Sequence, residues 1–327
     1  MKEKDIRPAE LFNKYLELCS KDAKTFFKNI PKYDIPCPAC NQSHVKNEFR
    51  KWGFNYVSCQ ECHSLFQSPR PEKSAFDYFY LNSPSSKYWA KTFFPTVVNE
   101  RKNKLFKPKV EKIYDLFNQW RFEPKVIADI GAGYGLFLDE WRSKSPNAKL
   151  IAIEPNDEMA NICLEKEFEV HQSFIENISN APCDIDFLVA FEVIEHIHDP
   201  FHFCKALKRM ISSKGKVLIT GLTVDGFDIQ VLWENSNSIS PPHHLNFLSI
   251  KGINELLIRS GFSSVRISTP GKLDVDIVKN AIQNGVALTN ENRFVGKLMN
   301  CDESTLIDFQ SFLSKNCLSS HFWCWAS

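Results

Sequence analysis

The sequence predicts an α/β protein whose core is a doubly wound, mainly parallel sheet, and two observations support this prediction. An apolar segment ends in Asp129 and continues into three glycines at alternate positions, Gly131 and Gly133 being the first two. Gly135 completes the turn and precedes a stretch of helical periodicity, and such a turn lets a backbone approach a ligand closely. Apolar segments also alternate with helical stretches along the chain; they lie near 126–130, 149–153, 168–171, 185–190, 216–220 and 264–268.

The second predicted strand ends in an acidic residue. Glu154 stands nineteen positions after Gly135, where a carboxylate can accept hydrogen bonds from the two hydroxyls of a ribose. A dinucleotide-binding turn usually has the spacing G-x-G-x-x-G, whereas this chain has D-x-G-x-G-x-G. The glycine turn and Glu154 together therefore indicate a nucleoside-containing cofactor and disfavour a dinucleotide.

With these residues the chain resembles the class I S-adenosylmethionine-dependent methyltransferases. The first motif of that family matches the segment 129–135, and its second-strand acidic residue matches Glu154. Its fourth-strand motif, which ends in Glu-His, matches the segment 184–196. The resemblance implies a Rossmann-like sheet of seven strands, S-adenosylmethionine as the cofactor and a methyltransferase activity.

The resemblance also implies a place for each cofactor-binding residue. The glycine turn and its aspartate would cradle the amino-acid end of the cofactor, where no phosphate is bound, and Glu154 would bind the ribose. Phe191 or Glu192 would form the wall beside the methionine part. Ser173 or Gln172, after the third strand, would lie near the adenine.

A second motif lies in the first quarter of the chain. Two C-x-x-C pairs, Cys37 with Cys40 and Cys59 with Cys62, are separated by eighteen residues. This spacing is typical of a four-thiolate zinc ribbon, in which zinc has no open coordination position and is structural. The alternative is a pair of redox dithiols, which is disfavoured because neither pair opens a helix within a βαβ unit.

The remaining sequence favours a cytoplasmic protein. No apolar run approaches the ~20 residues that span a bilayer, and the N-terminus lacks the apolar segment of a secretory signal. Seven further cysteines are scattered among core-like residues, and we expect them to be reduced thiols; they are Cys19, Cys163, Cys183, Cys204, Cys301, Cys317 and Cys324.

Composition and periodicity divide the chain into five parts. A helical segment precedes the cysteine pairs, and a helical connector rich in aromatic residues follows them. The aromatic residues of the connector either pack against the cofactor domain or line a substrate cleft. The predicted parts are an N-terminal helix (1–33), a zinc ribbon (34–72), the aromatic connector (73–120), the cofactor-binding domain (121–270) and a C-terminal helical extension (271–327).

The net charge of +1 conceals an asymmetry along the chain. Residues 1–125 hold 23 Lys and Arg against 14 Asp and Glu, whereas residues 126–327 hold 17 against 25. One interpretation is that these charges lie on solvated helix faces. The other is that the basic part attracts an anionic substrate, such as a nucleotide diphosphate, a phospholipid-linked sugar or RNA.

Histidines follow two of the predicted strands at the edge of the sheet where ligands bind. Methyl transfer to a hydroxyl or a carbon requires a base, and histidine is suited to that role near neutral pH. His196 follows the fourth strand, and the alternative for it is a helix-start residue bonded to backbone. His243 and His244 lie in the loop after the fifth strand. These three histidines are the candidate catalytic residues, and His244 is preferred.

The loop with the paired histidines, Pro-Pro-His-His-Leu-Asn-Phe, resembles the substrate-facing segment of bacterial sugar methyltransferases. In the deoxysugar C-methyltransferases a Glu-His pair stands in place of His243 and His244, so this chain departs from their pattern. The resemblance implies a small, sugar-like, anionic acceptor connected with surface-polysaccharide or modified-sugar synthesis.

Two alternatives remain open. Some RNA methyltransferases also carry a cysteine-rich zinc module, and the basic first third supports a nucleic-acid acceptor. Against this, the fourth strand ends without the Asn/Asp-Pro-Pro-aromatic segment that base-amine methyltransferases use. The other alternative is a non-catalytic binding subunit built on a methyltransferase fold, although its glycine turn is intact.

Overall fold

The computed structural model describes residues 2–178, 184–288 and 292–327. Cys183 lies outside the described residues. The strands are β1 (Val45–Lys51), β2 (Phe54–Cys59), β3 (Leu65–Gln67), β4 (Val126–Ile130), β5 (Lys149–Ile153), β6 (Glu169–His171), β7 (Ile185–Phe191), β8 (Ile211–Leu222), β9 (Asn246–Phe247), β10 (Val265–Ser268) and β11 (His321–Ala326).

The α-helices are α1 (Glu3–Ile6), α2 (Ala9–Phe27), α3 (Lys73–Asn82), α4 (Pro84–Tyr88), α5 (Phe94–Arg101), α6 (Lys107–Trp120), α7 (Leu136–Arg142), α8 (Asp157–Glu165), α9 (Pro200–Met210), α10 (Phe227–Leu232), α11 (Ile250–Arg259), α12 (Asp274–Gln283), α13 (Arg293–Leu298) and α14 (Glu303–Lys315). Two π-helical turns, Trp89–Phe93 and Lys102–Phe106, join α4, α5 and α6. Among the described residues, no helix has the length and apolar character needed to cross a membrane.

The central sheet holds seven of the described strands, in the order β10-β11-β8-β7-β4-β5-β6. Strands β4 to β8 run parallel to one another, whereas β11 is antiparallel to both β8 and β10. The inner strands β4 and β7 are apolar except for one aspartate each, because helices cover both faces of the sheet. The predicted doubly wound, mainly parallel fold is confirmed, and each of the six predicted strands is present.

The C-terminal segment, predicted as a helical extension, contains helices and ends in a strand. Its helices α12 and α14 pack on each other and on α10, and its last residues form β11, which lies between β8 and β10 in the central sheet. Phe322 pairs with Gly221 of β8, and Cys324 pairs with Ile267 of β10. The predicted domain boundary at residue 270 therefore separates β11 from the sheet to which it is hydrogen-bonded. The physical reason is that the aromatic side chains of β11 become buried when this strand pairs with strands that are remote in sequence.

The cysteine-rich part forms a second, four-stranded antiparallel sheet in the order β1-β2-β3-β9. Its fourth strand, β9, comes from the loop after β8, and Leu65 of β3 pairs with Phe247 of β9. The two parts also share apolar packing, since Val57 and Phe66 belong to the same buried cluster as Leu248 and Leu256. The segment 34–72 is thus joined to the loop that contains the paired histidines.

Residues of helices α1 to α6, which together are called the helical layer, line a cavity at the carboxyl edge of the central sheet. Some aromatic residues of the connector are buried in the core and others border this cavity. Phe79 and Phe93 are fully buried and pack against neighbouring rings, whereas Tyr80 and Trp89 line the cavity.

Candidate functional site

A cavity of about 650 Å³ lies at the carboxyl ends of β4, β5 and β7. The turn 130–134 and Glu154 form one wall, and His196 and His244 form another. The N-terminal layer covers the cavity with Phe12 and Tyr15 of α2. Ligands of open α/β sheets bind at this edge, so the fold brings both groups of predicted site residues to one chamber.

The glycine turn has the backbone conformation that its sequence predicts. Gly131 and Gly133 have φ values of 69° and 55°, which side-chain-bearing residues rarely adopt. A Cβ atom on Gly131 would come within 2.9 Å of Cγ2 of Val193. A Cβ atom on Gly133 would meet no atom closer than Sδ of Met159 at 4.0 Å, so the space beside this glycine belongs to the cavity.

Gly135 has a different surrounding. It caps α7 with a φ of 65°, and a Cβ atom there would lie 2.8 Å from Cε2 of Phe168 and 3.2 Å from Sγ of Cys163. The third glycine therefore lies behind the turn and permits the close packing of the turn against α8 and β6. Gly135 thus supports the predicted cofactor loop from behind.

Two carboxyl groups flank the glycine turn. Glu154 accepts hydrogen bonds from the backbone N–H of Gly133 (2.8 Å, to Oε2) and of Asn156 (2.9 Å, to Oε1). Burial raises the pKa of Glu154, and these two bonds oppose the shift. Asp129 is buried at the end of β4; burial also raises its pKa, with the charge of Lys109 opposing.

The opposite wall contains Phe191 and Glu192 at the end of β7, and Ser173 lines the cavity after β6. Oε1 of Glu192 accepts a hydrogen bond from Oγ1 of Thr220 (2.6 Å) and lies 3.2 Å from Nδ1 of His321. Burial alone raises the pKa of Glu192, but the charge and hydrogen bond of His321 outweigh it and lower the pKa. The expected neighbours of the cofactor therefore all face this chamber except the supporting Gly135 and the buried Asp129.

Several cationic residues of the helical layer line the cavity, and Lys109 and Arg101 are the most buried of those whose pKa is shifted. Nζ of Lys109 lies 4.0 Å from the ring centre of Phe191, and burial lowers the pKa of Lys109 to about 8. Arg101 lies over the ring of Phe94 at 5.3 Å, and burial lowers its pKa to about 10. Within the described chain, Nε of Arg101 is buried without a hydrogen-bond partner. These cations favour an anionic ligand in the cavity.

His243 is held in place by its neighbours. Its Nε2 lies 2.8 Å from Oγ of Ser85, and its ring packs against Phe79 (4.7 Å between centres) and Tyr15 (5.5 Å). Its backbone carbonyl accepts a hydrogen bond from the hydroxyl of Tyr80 (3.1 Å). These contacts fix the ring and the loop that carries it; His243 also lines the cavity, and its catalytic role stays a prediction.

His196 and His244 face each other with ring centres 4.6 Å apart. Nδ1 of His244 lies 2.5 Å from the carbonyl oxygen of Ser238, and Nδ1 of His196 lies 3.1 Å from that of His243. Because a carbonyl oxygen can only accept, each Nδ1 carries the proton and each Nε2 keeps its lone pair. Burial lowers the pKa of His244 to about 4 and lowers that of His196 well below its ordinary value, so both rings are neutral near pH 7.

Glu195 adjoins the two histidines. Its side chain is 1% exposed, and among the described residues no group hydrogen-bonds its Oε2. Burial, followed by the charge of Glu192, raises the pKa of Glu195 well above its ordinary value. Glu195, His196 and His244 each contribute one possible metal-ligand atom, and these three atoms lie within 4.8 Å of one another.

The four cysteines of the ribbon also converge. Sγ of Cys37 lies 3.5 Å from Sγ of Cys62, and Sγ of Cys40 lies 3.4 Å from Sγ of Cys59. All four sulfur atoms lie within 4.8 Å of one another and are buried. Four thiolates around one tetrahedral zinc ion, with Zn–S bonds of about 2.3 Å, require sulfur atoms at about this separation. The residues therefore fit a structural zinc ion.

Comparison with known proteins gives the domain its family. The model of the methyltransferase domain family matches residues 100–267, about half of the chain. The chain belongs to the methyltransferase domain family. The methyltransferase domain thus includes the glycine turn, Glu154 and β7, and the predicted methyltransferase is confirmed at this level.

Two curated relatives resemble the methyltransferase domain. A tRNA U34 carboxymethyltransferase of Aliarcobacter butzleri is 25% identical over 161 residues, which are 47% of this chain and 53% of the relative. An uncharacterized protein of Methanocaldococcus jannaschii is 25% identical over 150 residues, 46% of this chain and 70% of the relative. The chain thus spans about half the length of the tRNA-modifying relative.

A solved structure shares the fold. The plantazolicin methyltransferase BpumL, in complex with SAH, superposes with a TM-score of 0.50 at 15% identity, over 77% of this chain and 93% of its own. This likeness concerns the architecture of the methyltransferase domain.

Sequence reasoning left out several residues that line the cavity of the methyltransferase domain. Glu195 belongs to the Glu-His pair that ends the fourth-strand motif, so the motif itself points to this residue. Lys109, Arg101 and Tyr80 lie on helices whose charged and aromatic residues have ordinary helical spacing, and their direction toward the cavity has no signal in the sequence. His321 reaches the cavity because β11 returns to the sheet.

Proposed function

We propose that this protein transfers a methyl group from S-adenosylmethionine to a hydroxyl of a small anionic acceptor, a sugar or nucleotide-linked sugar of surface-polysaccharide or modified-sugar synthesis. One observation carries the proposal: a single chamber contains the glycine turn with Glu154 and the neutral pair His196 and His244. The loop Pro-Pro-His-His-Leu-Asn-Phe supports a sugar as the acceptor, and Lys109 and Arg101 support its negative charge.

The residues of the first wall fit the cofactor. The space beside Gly133 is open, and the carboxylate oxygens of Glu154 each keep a further lone pair for a ribose hydroxyl. Lys109, above the ring of Phe191, is the cation that would bind the carboxylate of the amino-acid end. When bound, S-adenosylmethionine supplies a methyl group that is already electrophilic.

The wall that contains His196 and His244 would bind the acceptor. His196 and His244 line the chamber and use Nδ1 for hydrogen bonds inside the protein, so their Nε2 atoms are the ones that would activate the acceptor hydroxyl. The aromatic side chains of the helical layer would hold the acceptor in line with the methyl group, and this positioning is the main contribution an enzyme makes to methyl transfer. His243 keeps this pair in place through its hydrogen-bonded carbonyl.

We expect Lys109→Met to weaken binding of S-adenosylmethionine by about ten- to hundredfold, because a hydrogen bond to a charged group contributes about 1.5–3 kcal/mol. Titration calorimetry of the zinc-loaded protein measures this. Lys205→Met is the matched control, since Lys205 also lies over a phenylalanine ring, that of Phe201 at 5.6 Å, but on an exposed helix face. Equal affinities of the two variants would contradict the role of Lys109.

We expect His244→Gln to lower the rate of methyl transfer by about 10²–10⁴-fold while leaving cofactor affinity unchanged, because the ring acts on the acceptor and not on the cofactor. Transfer of labelled methyl groups to a panel of nucleotide sugars measures the rate. His202→Gln is the control, because His202 is exposed and bonded to Asp199. A variant that loses cofactor binding and activity together would place His244 elsewhere in the mechanism.

The experiment that tests the proposal as a whole is calorimetry with S-adenosylmethionine, its demethylated product and NAD. Binding of the first two without NAD supports the cofactor, and methyl transfer to a nucleotide sugar then supports the acceptor. If none of the three binds, the non-catalytic alternative takes precedence.

An RNA acceptor is the second candidate, favoured by the similarity to a tRNA-modifying enzyme and by the basic first third of the chain. The chamber argues against it, because α1 and α2 cover the acceptor side with Ile6 and Phe12. A gel-shift assay with bulk RNA across salt concentrations separates the two candidates, since phosphate contacts make binding strongly salt-dependent. Tight, salt-dependent binding of RNA would favour the nucleic-acid acceptor.

A further inference from the structure

We propose that Glu195, His196 and His244 together bind a divalent transition-metal cation at the acceptor side of the cavity, separate from the four-cysteine site. This inference rests on the proposed function, and it specifies how the two histidines activate the acceptor: they hold a cation that binds the acceptor oxygen. It therefore assigns the chain a second metal centre with a catalytic purpose.

The first argument is the direction of the donor atoms. Both histidines use Nδ1 for hydrogen bonds inside the protein, His244 to the carbonyl of Ser238 (2.5 Å) and His196 to the carbonyl of His243 (3.1 Å) and the hydroxyl of Tyr80 (2.6 Å). Metal-ligating histidines typically bond their second nitrogen in this way, which fixes the tautomer and the ring orientation. Each ring thus has its Nε2 lone pair free for a cation.

The second argument is independent and concerns Glu195. A carboxylate oxygen buried to 1% exposure without a hydrogen-bond partner in the described chain is costly. Glu195 is nevertheless held there, since its backbone carbonyl accepts a hydrogen bond from Leu245 (2.7 Å). Gly221 leaves room for the carboxylate, because a Cβ atom at that position would lie 2.9 Å from Oε2. A cation supplies the partner that this oxygen lacks.

The third argument is the geometry of the set. The three donor atoms lie within 4.8 Å of one another. Two ligands of one zinc-like cation, at bond lengths of about 2.0–2.2 Å, are about 3.3–3.6 Å apart in a tetrahedron and at most ~4.4 Å apart in any geometry, so the side chains close in on the ion when it binds. Glu192 stays outside the set, because Thr220 and His321 already occupy its Oε1.

The donor types identify the class of cation. Two imidazoles and one carboxylate are the ligands of catalytic zinc and of related first-row cations, and they leave a coordination position open. Four thiolates, in contrast, close the coordination of the ribbon ion. The protein therefore separates a sulfur site that stabilises the fold from a nitrogen–oxygen site that faces the chamber.

The open position gives the cation its role. A hydroxyl oxygen of the acceptor bound there becomes more acidic and releases its proton to solvent water. The oxygen then forms a bond to the methyl carbon while the carbon–sulfur bond breaks, and its electron pair remains on sulfur as a thioether. Acceptors with an oxygen next to an anionic group suit this site, since Lys109 and Arg101 line the same chamber.

The test uses the whole chain, loaded with one equivalent of zinc so that the cysteine site is filled and the histidine site is left empty, then titrated with Co²⁺ and followed by its visible spectrum. We expect one cobalt ion per chain with bands typical of nitrogen and oxygen ligands and without the thiolate charge-transfer bands of the cysteine site. Glu195→Gln and His244→Gln should each weaken this binding by about tenfold or more, since loss of even an outer partner costs about 10–100-fold in metal affinity. His202→Gln should bind as the parent protein does.

Each result is decisive for the cation. Absence of cobalt uptake beyond the cysteine site, or equal uptake by the Glu195→Gln and His202→Gln proteins, overturns the proposal. Thermal melting of each variant shows whether it is folded, and His244→Gln serves if Glu195→Gln is not. Methyl transfer that persists undiminished after removal of this cation also overturns the proposal while leaving the proposed function standing. Cation binding without methyl transfer to any acceptor contradicts the proposed function alone.

Discussion

Arginine in place of Gly133 is expected to abolish binding of S-adenosylmethionine, with an affinity loss of about a hundredfold or more. The Cβ atom of a residue at this position meets open space, so a long side chain would extend into the cavity that the cofactor requires. The positive φ of 55° adds strain to the turn that carries the bond from Gly133 to Glu154. Calorimetry with the cofactor, beside a thermal melt, measures both effects.

Gly285→Arg is the matched control for that variant. Gly285 also has a positive φ, 91°, and a Cβ atom there would also meet open space, but it lies beyond the end of α12 and away from the glycine turn. Both variants introduce backbone strain and a positive charge, but only Gly133→Arg fills the predicted cofactor site. If Gly133→Arg bound the cofactor as tightly as Gly285→Arg, the assignment of the site would be wrong.

Serine in place of Cys62 is expected to have the second large effect, a marked loss of stability together with a loss of methyl transfer. Binding of structural zinc contributes on the order of 10 kcal/mol in isolated zinc-finger peptides. Part of that contribution should appear here as a lower melting temperature, because the ribbon shares its buried cluster with the methyltransferase domain. Zinc analysis and thermal melting measure the loss.

The effect on activity follows from the strands that join the ribbon to the acceptor wall. The hydroxyl of Tyr56 (2.7 Å) and Nε2 of Gln67 (3.1 Å) both donate to the carbonyl of His244. A misplacement of about 1 Å can cost about a hundredfold in rate, so loosening this wall should lower turnover while the cofactor still binds. Cys301→Ser is the control, because its thiol is exposed and lies outside the ribbon. Retention of full activity without zinc would refute this coupling.

The parts of the fold that depend on neighbouring residues could be predicted from the sequence. The glycine turn, Glu154 and the cysteine pairs carry their signal within a few positions, because backbone conformation and metal spacing are local properties. The cofactor wall and the strands β4 to β8 follow from these signals and from apolar runs. The predicted histidines His196 and His244 are likewise brought together because both follow parallel strands at the same edge.

The rest depends on contacts between distant segments. Strand β9 is two residues long and pairs with β3 nearly two hundred positions away, and β11 pairs with β8 about a hundred positions away. No local sequence pattern predicts these strand pairings. His243 and His244 are adjacent in sequence and both line the cavity, yet the ring of His243 packs against Tyr15 and Phe79, whereas that of His244 faces His196. Only tertiary packing distinguishes them.

The place of β11 has a consequence for how the acceptor chamber can change. Ser268 at the end of β10 pairs with Trp323 of β11, so the residues between them leave and re-enter the sheet at adjacent points. Topologically, helices α12 to α14 lie within one long hairpin connection between β10 and β11. Its first residues, Gly271 to Asp274, border the cavity, and Asp274 fastens them to the backbone of Ser320 (2.6 Å). A connection that leaves and re-enters the sheet at adjacent points can change in length without altering the strand register, so a change of this segment would alter one border of the cavity and leave the glycine turn in place.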